Sequence, residues 1–103
     1  MRHDWKKITS SLLNYLQKEG FKLVSAYDGG DRLKSSRRHE LTDFLIGVDE
    51  SSVYVEKNGD EFGLFLVYGN DPCELVCDHT YKQDNQNSLD LETAIEKHYN
   101  RWE

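Results

Sequence analysis

The dipeptide Asn58-Gly59 constrains this chain more than any other feature. It joins Val53-Tyr54-Val55-Glu56-Lys57 to Asp60-Glu61-Phe62, and both residues tolerate the positive φ that a two-residue type I′ hairpin turn demands. So short a loop leaves one register: Lys57 opposite Asp60, Val55 opposite Phe62, Tyr54 opposite Gly63 and Val53 opposite Leu64. The Tyr54 ring can then lie across Gly63. The same register sets Glu56 against Glu61, a like-charge conflict.

A second join, Gly69-Asn70-Asp71-Pro72, has turn chemistry throughout. Pro72 cannot donate to a ladder, so a third strand starts at or after Cys73. With Tyr68 opposite Cys73, alternation defines two faces of a meander between Ser51 and Tyr81. Val53, Val55, Phe62, Leu64, Leu66, Tyr68, Cys73, Leu75, Cys77 and His79 form the expected core face. Tyr54, Phe65, Val67 and Val76 occupy the middle of the other face, bordered by Glu56, Glu61, Glu74 and Asp78. An apolar centre with an acidic rim has the make-up of a protein-binding patch.

The remaining segments supply what packs on the meander. Trp5, Ile8, Leu12, Tyr15 and Leu16 recur at helical spacing, so 4–19 reads as an amphipathic helix capped by Asp4 and ended by Gly20. Phe21 to Tyr27 alternates as a strand, with Phe21, Leu23, Ser25 and Tyr27 on one side and Lys22, Val24 and Ala26 on the other. Asp28-Gly29-Gly30-Asp31 reads as a surface loop, and Arg32, Lys34, Arg37, Arg38 and His39 follow it as a basic cluster. Leu41, Phe44, Leu45 and Val48 recur at i, i+3, i+4 and i+7, predicting a second helix over 37–47 with Ser35 or Ser36 as its cap. Residues 82–87 form a polar loop. A last helix then opens at Asn87 or Ser88 and carries Leu91, Ala94, Ile95, His98, Tyr99 and Trp102 as its apolar stripe.

The order α-β-α-β-β-β-α predicts an α+β fold with a mostly antiparallel four-stranded sheet and helices 1 and 3 on its core face. Two arrangements of helix 2 fit equally: it covers the second sheet face with Leu41, Phe44 and Leu45, or it leaves that face bare.

A length of 103 residues fits a single domain, 1–103, large enough to bury a core without staples. The longest apolar runs are only a few residues, and Met1 to Lys7 is polar and charged, which predicts a soluble cytoplasmic protein with no membrane contact. The net charge of −6 is unevenly distributed: residues 1–48 carry +3 and residues 49–103 carry −9. Direct nucleic-acid binding is therefore not expected.

Catalytic and metal readings are thin. Cys73, Cys77 and His79 share one strand face, but zinc sites take four ligands, and strand spacing spreads these three over roughly 20 Å along the chain. Cys77, His79 and Asp78 supply the residue types of a nucleophilic site, yet Asp78 points away from the other two and Cys77 falls on the core face. The two cysteines are expected to be free, buried thiols. The Asp28-Gly29-Gly30-Asp31 loop meets neither an EF-hand nor a P-loop pattern. No catalytic residue, metal or cofactor is expected.

Leu66-Val67-Tyr68-Gly69-Asn70-Asp71-Pro72-Cys73-Glu74-Leu75-Val76-Cys77-Asp78-His79-Thr80, with the terminal His98-Tyr99-Asn100-Arg101-Trp102-Glu103, resembles a pattern in short uncharacterised proteins of bacteria, phages and mobile elements. The resemblance covers about a third of the chain and implies an accessory protein of a bacterial or mobile genome. It carries over no catalytic residue.

The expected function is that of a small binding or adaptor protein that contacts a protein partner, or a second copy as a homodimer, through the acidic-rimmed face or a sheet edge. The alternative is an acidic mimic of nucleic acid that occupies the basic groove of a DNA- or RNA-binding protein. An enzyme using Cys77 and His79 stands third.

Overall fold

The computed structural model describes residues 3–103; Met1 and Arg2, part of the polar amino terminus, lie outside the described residues. In chain order the elements are α1 (Trp5–Lys18), β1 (Lys22–Tyr27), β2 (Arg32–Lys34), α2 (Arg38–Leu45), β3 (Glu50–Lys57), β4 (Asp60–Val67), a short 3-10 helix (Pro72–Glu74), β5 (Val76–His79) and α3 (Gln86–Trp102). Among the described residues the five strands make one antiparallel sheet in the order β2-β1-β3-β4-β5. The fold is α+β as expected, with five strands in place of four.

The β3–β4 register is the one Asn58-Gly59 implies: Lys57 faces Asp60, Val55 faces Phe62, Tyr54 faces Gly63 and Val53 faces Leu64. Asn58 at φ 52° and Gly59 at φ 86° provide the left-handed pair of a type I′ turn. Glu56 does oppose Glu61, and Lys22 pairs with Glu56 from the other side.

The added strand is β2. It returns from β1 through Asp28-Gly29-Gly30-Asp31, where Asp28 Oδ1 accepts from the amides of Gly30 (3.0 Å) and Asp31 (2.7 Å). These bonds close a tight hairpin, and part of the basic cluster is thereby strand. The β1 alternation also needs correction. The pairing shifts between Leu23 and Ser25, so a bulge at Val24 puts Leu23 and Ala26 on the core side, while Ser25 and Tyr27 point the other way.

The third meander strand departs from the Tyr68–Cys73 register. Tyr68 donates its amide to Asp49 O (2.9 Å), and Pro72, Cys73 and Glu74 wind into the 3-10 helix. Pairing resumes as Leu66 with Val76, Phe65 with Asp78 and Leu64 with His79, interrupted by a shift. Cys73 and Glu74 are therefore not on a strand. Cys77 is exposed and Cys73 half-buried, contrary to the expectation of buried thiols.

Among the described residues, α1, α2 and α3 all lie on one side of the sheet. α1 runs between α2 and α3 and touches both, and α2 also touches β1 and β3. Their apolar stripes meet Leu23, Ala26, Val53, Val55, Phe62, Leu64 and Leu66 in a single core that includes Leu12, Leu16, Leu41, Leu45, Leu91 and Ala94. The domain is 19 Å along its shortest axis, the depth of one sheet plus one helix layer, since each further layer adds roughly 10 Å.

Specific contacts fix the helix ends. Asp4 Oδ1 caps α1 by accepting from Lys7 N (3.1 Å), and Gly20 at φ 93° ends it. The Phe21 amide reaches back to Leu16 O (3.0 Å) and that of Gly20 to Gln17 O (3.0 Å), a Schellman closure. Arg37 occupies the N-cap of α2 without a side-chain cap bond, and Ser35 Oγ accepts from Arg37 N instead (3.0 Å). α3 begins earlier than expected because Asn85 is its cap, accepting from Ser88 N (3.0 Å). Lys57 Nζ, beside the hairpin turn, donates to Glu19 O and to Asp90 Oδ2, both at 2.6 Å. One ammonium thus joins the end of α1 to the first turns of α3.

Candidate functional site

With the helices stacked on one side, the opposite sheet face is left uncovered by the described residues. Cross-strand pairing arranges its side chains in rows. One row runs Arg32, Tyr27, Ser52, Phe65, Asp78 from β2 to β5, each residue directly opposite the next. The adjacent row runs Lys34, Ser25, Tyr54, Gly63 and ends at Thr80, whose amide donates to Gly63 O (2.9 Å). Lys22, Glu56 and Glu61 form a third row toward the hairpin turn.

Arg32 organises the β2 side. Its guanidinium carbon lies 4.8 Å from the Tyr54 ring centre and 5.5 Å from that of Tyr27, and Nη1 donates to Ser25 Oγ (2.9 Å). Stacking on two rings holds a planar cation flat against the sheet, which a flexible lysine ammonium does less well. Ser25 is buried beneath it. Tyr54 in turn leans on Gly63: a Cβ there would come within 3.0 Å of Tyr54 Cε1. The glycine therefore makes room for a ring lying across the strand.

Phe65 and Tyr27 flank Ser52 and remain 36% and 37% exposed. Between Tyr54, Phe65, Asp78 and Thr80 lies an open recess of about 310 Å³. Large aromatics held half out of water around a small polar residue are the usual make-up of contact surfaces.

Of the residues expected on this face, Tyr54, Phe65, Val67, Glu56, Glu61 and Asp78 are there, by their pairing and alternation. Val76 and Glu74 are not. The shift in β5 pairs Val76 with Leu66 and packs it against the core, and Glu74 sits on the 3-10 helix. Both line a different recess of about 330 Å³, with Cys73, Cys77, Ile95 and Tyr99. Tyr27, Arg32, Ser25 and Ser52 also belong to the face. The alternation of Arg32 and Lys34 about Leu33 signals the β2 pair, and the two-residue step from Tyr54 signals Ser52.

The carboxylates at the hairpin end are engaged in holding the fold. Hydrogen bonds from Asn85 and Asn87 (2.8 and 2.9 Å) hold the Asp60 carboxyl below its ordinary range. Those from Lys57 and Gln86 do the same for Asp90. Burial pushes the Cys73 thiol up, and the nearby Glu74 and Asp71 carboxylates add to the effect. His79 Nδ1 lies 2.9 Å from Thr80 O. Among the described residues, no group of three or more His, Cys, Asp or Glu is placed to hold a metal ion, and no helix is long and apolar enough to cross a membrane.

His98, on α3, is fully buried. One of its ring nitrogens, Nε2, lies 2.9 Å from Pro72 O; a carbonyl only accepts, so Nε2 carries the proton. Burial lowers the His98 pKa.

No family model, curated protein sequence or solved structure matches the chain.

Proposed function

We propose that this chain is a protein-binding module whose working surface is the uncovered sheet face, centred on Tyr54 and Phe65 with Tyr27, Arg32 and Ser52 beside them. The observation that carries the reading is the one-sided stacking of the helices. It leaves Tyr27 and Phe65 over a third exposed, on either side of the middle strand, on a sheet face that no other part of the described chain covers. Burying such rings against another polypeptide gains roughly 25 cal/mol per Å² of apolar surface.

The sheet edges are poorer docking strands. β2 has three residues and β5 four; β5 is also interrupted by a pairing shift. Short, irregular, charged edges resist strand addition. Nucleic-acid mimicry by the acidic half is the weaker reading, because Asp60 and Asp90 are committed to internal hydrogen bonds and Lys22, Arg32 and Lys34 share the open face.

Comparative capture from cells tests the proposal. Wild type and a Tyr54→Glu/Phe65→Glu double variant are used as baits, with circular dichroism confirming that both are folded. Proteins retained by wild type are expected to be depleted at least tenfold with the variant. Equal recovery on both baits, together with self-association that the double variant leaves unchanged, would refute a binding role for this face.

A further inference from the structure

The long row across the face reads cation, aromatic, serine, aromatic, carboxylate: Arg32, Tyr27, Ser52, Phe65, Asp78. Its middle member sits on β3, the central strand of the five. A two-fold axis lying in the face and running along β3 exchanges β2 with β5 and β1 with β4. That rotation turns the row into its own complement. From the binding reading above and this pattern, we infer that the partner of the open face is a second copy of the same chain, stacked face to face in a symmetric dimer.

In that arrangement the flank of each copy that carries Arg32 lies over the flank of the other that carries Asp78, the Arg32 guanidinium leaving its stack on Tyr54 to pair with that carboxylate, and Tyr27 meets Phe65. The two Ser52 side chains oppose each other on the axis, where small groups let the sheets approach. In the neighbouring row Tyr54 meets Tyr54, and Ser25 lies over Gly63. The alternative axis, perpendicular to the strands, sets β2 against β2 and β5 against β5 and so confronts like charges. Charge therefore selects one of the two symmetric stackings. Strands of stacked twisted sheets stay within about 30° of alignment, which keeps the axis close to β3. Glu50 and Glu56 also fall near the axis, at opposite ends of β3. Their self-repulsion opposes this dimer; Lys22, paired with Glu56 on β1, offsets part of it.

Interface size sets the class of complex. Five strands at about 4.8 Å spacing and about 20 Å of strand length give a footprint of roughly 450 Å² per copy. The total of about 900 Å² is below the 1,200–2,000 Å² typical of stable complexes. The dimer therefore belongs to the small, transient class, and the quality of its ion-pair and ring contacts, not its area, sets the concentration at which it forms.

The pattern allows a test specific to this geometry. Arg32→Glu alone creates two carboxylate–carboxylate contacts across the axis, and Asp78→Arg alone creates two cation–cation contacts. Mixed one to one, the two variants restore both opposite-charge contacts. Sedimentation equilibrium of the full chain from 5 µM to 1 mM in 50 mM salt should show wild type dimerising. Each variant alone should be weakened at least tenfold, and the mixture should return to within threefold of wild type. Recovery in the mixture also establishes that both variants are folded.

Wild type remaining monomeric at 1 mM overturns the inference. So does dimerisation that neither variant weakens, or a mixture that stays monomeric while wild type dimerises. A monomeric wild type that still captures a cellular protein through Tyr54 and Phe65 removes the second copy and leaves the binding face standing. Loss of both removes both.

Discussion

Phe62 and Phe65 are three residues apart on β4 and face opposite ways, which makes them an internal test of the one-sided architecture. Phe62 is fully buried, its ring 5.8 Å from that of Phe21 in an edge-to-face contact at 87°. Phe65 is 36% exposed and lies against Ser52 and Asp78 across the strands. Truncating Phe62 to alanine removes a buried ring and leaves a cavity that the helices above cannot fully close, at a cost of about 3–5 kcal/mol. Truncating Phe65 leaves no cavity, because nothing among the described residues packs over it. Its cost is the lost contact with sheet neighbours plus reduced strand preference, about 1–2 kcal/mol.

Urea unfolding followed by circular dichroism, with the two variants and wild type fitted to a common slope, measures both numbers. The expected gap is about 2–3 kcal/mol, against a total stability of about 5–15 kcal/mol for a domain of this size. A gap below about 1 kcal/mol would mean that Phe65 is packed as Phe62 is. The bare face, and everything built on it, would then be refuted.

Gly59→Ala should destabilise by about 1–2 kcal/mol, since the site has φ +86° with open space around the missing Cβ and only backbone strain is at stake; thermal melting checks this. His98 has a folded-state pKa below its ordinary 6.5, so the unfolded chain binds its proton first and stability falls as pH drops below about 6.5. Changing His98 to Gln, which keeps a donor for Pro72 O but does not titrate, should flatten unfolding midpoints between pH 7.5 and 5; an unchanged slope would put the titrating group elsewhere. Cys77 is exposed whereas Cys73 is half-buried with a raised thiol pKa. In single-serine variants, Cys77 should therefore react with a disulfide reagent at least about tenfold faster.

Local chemistry decided which parts of the fold are readable in the sequence. Asn58-Gly59 is readable because two residues of fixed φ sign admit one register. α1 is readable because cap, stripe and terminal glycine all agree. β2 is hidden because three residues are too few to show a period, and its hairpin depends on the Asp28 carboxylate binding two amides. β5 misleads because Pro72 can start a 3-10 turn as readily as it can precede a strand. The Val24 bulge matters most for the site. It turns Tyr27 onto the open face, away from Leu23, and a strict two-residue alternation cannot foresee it. The side taken by α2 is a tertiary matter: Leu41, Phe44 and Leu45 would suit either sheet face. The packing against α1, reinforced by Arg38 Nη1 donating to Asn14 Oδ1 (2.7 Å), decides it.

The charge split along the chain acquires a spatial meaning through strand order. The +3 half contains β1 and β2, and the −9 half contains β3, β4 and β5. Because the sheet order β2-β1-β3-β4-β5 departs from chain order only by exchanging the first two strands, an asymmetry in sequence becomes a gradient across the sheet. Lys22, Arg32 and Lys34 fall on one flank of the open face, and Glu61 and Asp78 on the other. An interleaved topology would have mixed the two signs and erased the gradient. A face with one cationic flank, one anionic flank and aromatics between them repels a copy presented with its flanks aligned and attracts one turned end for end. The topology that gathers the helices on one side of the sheet thus also gives the other side a direction.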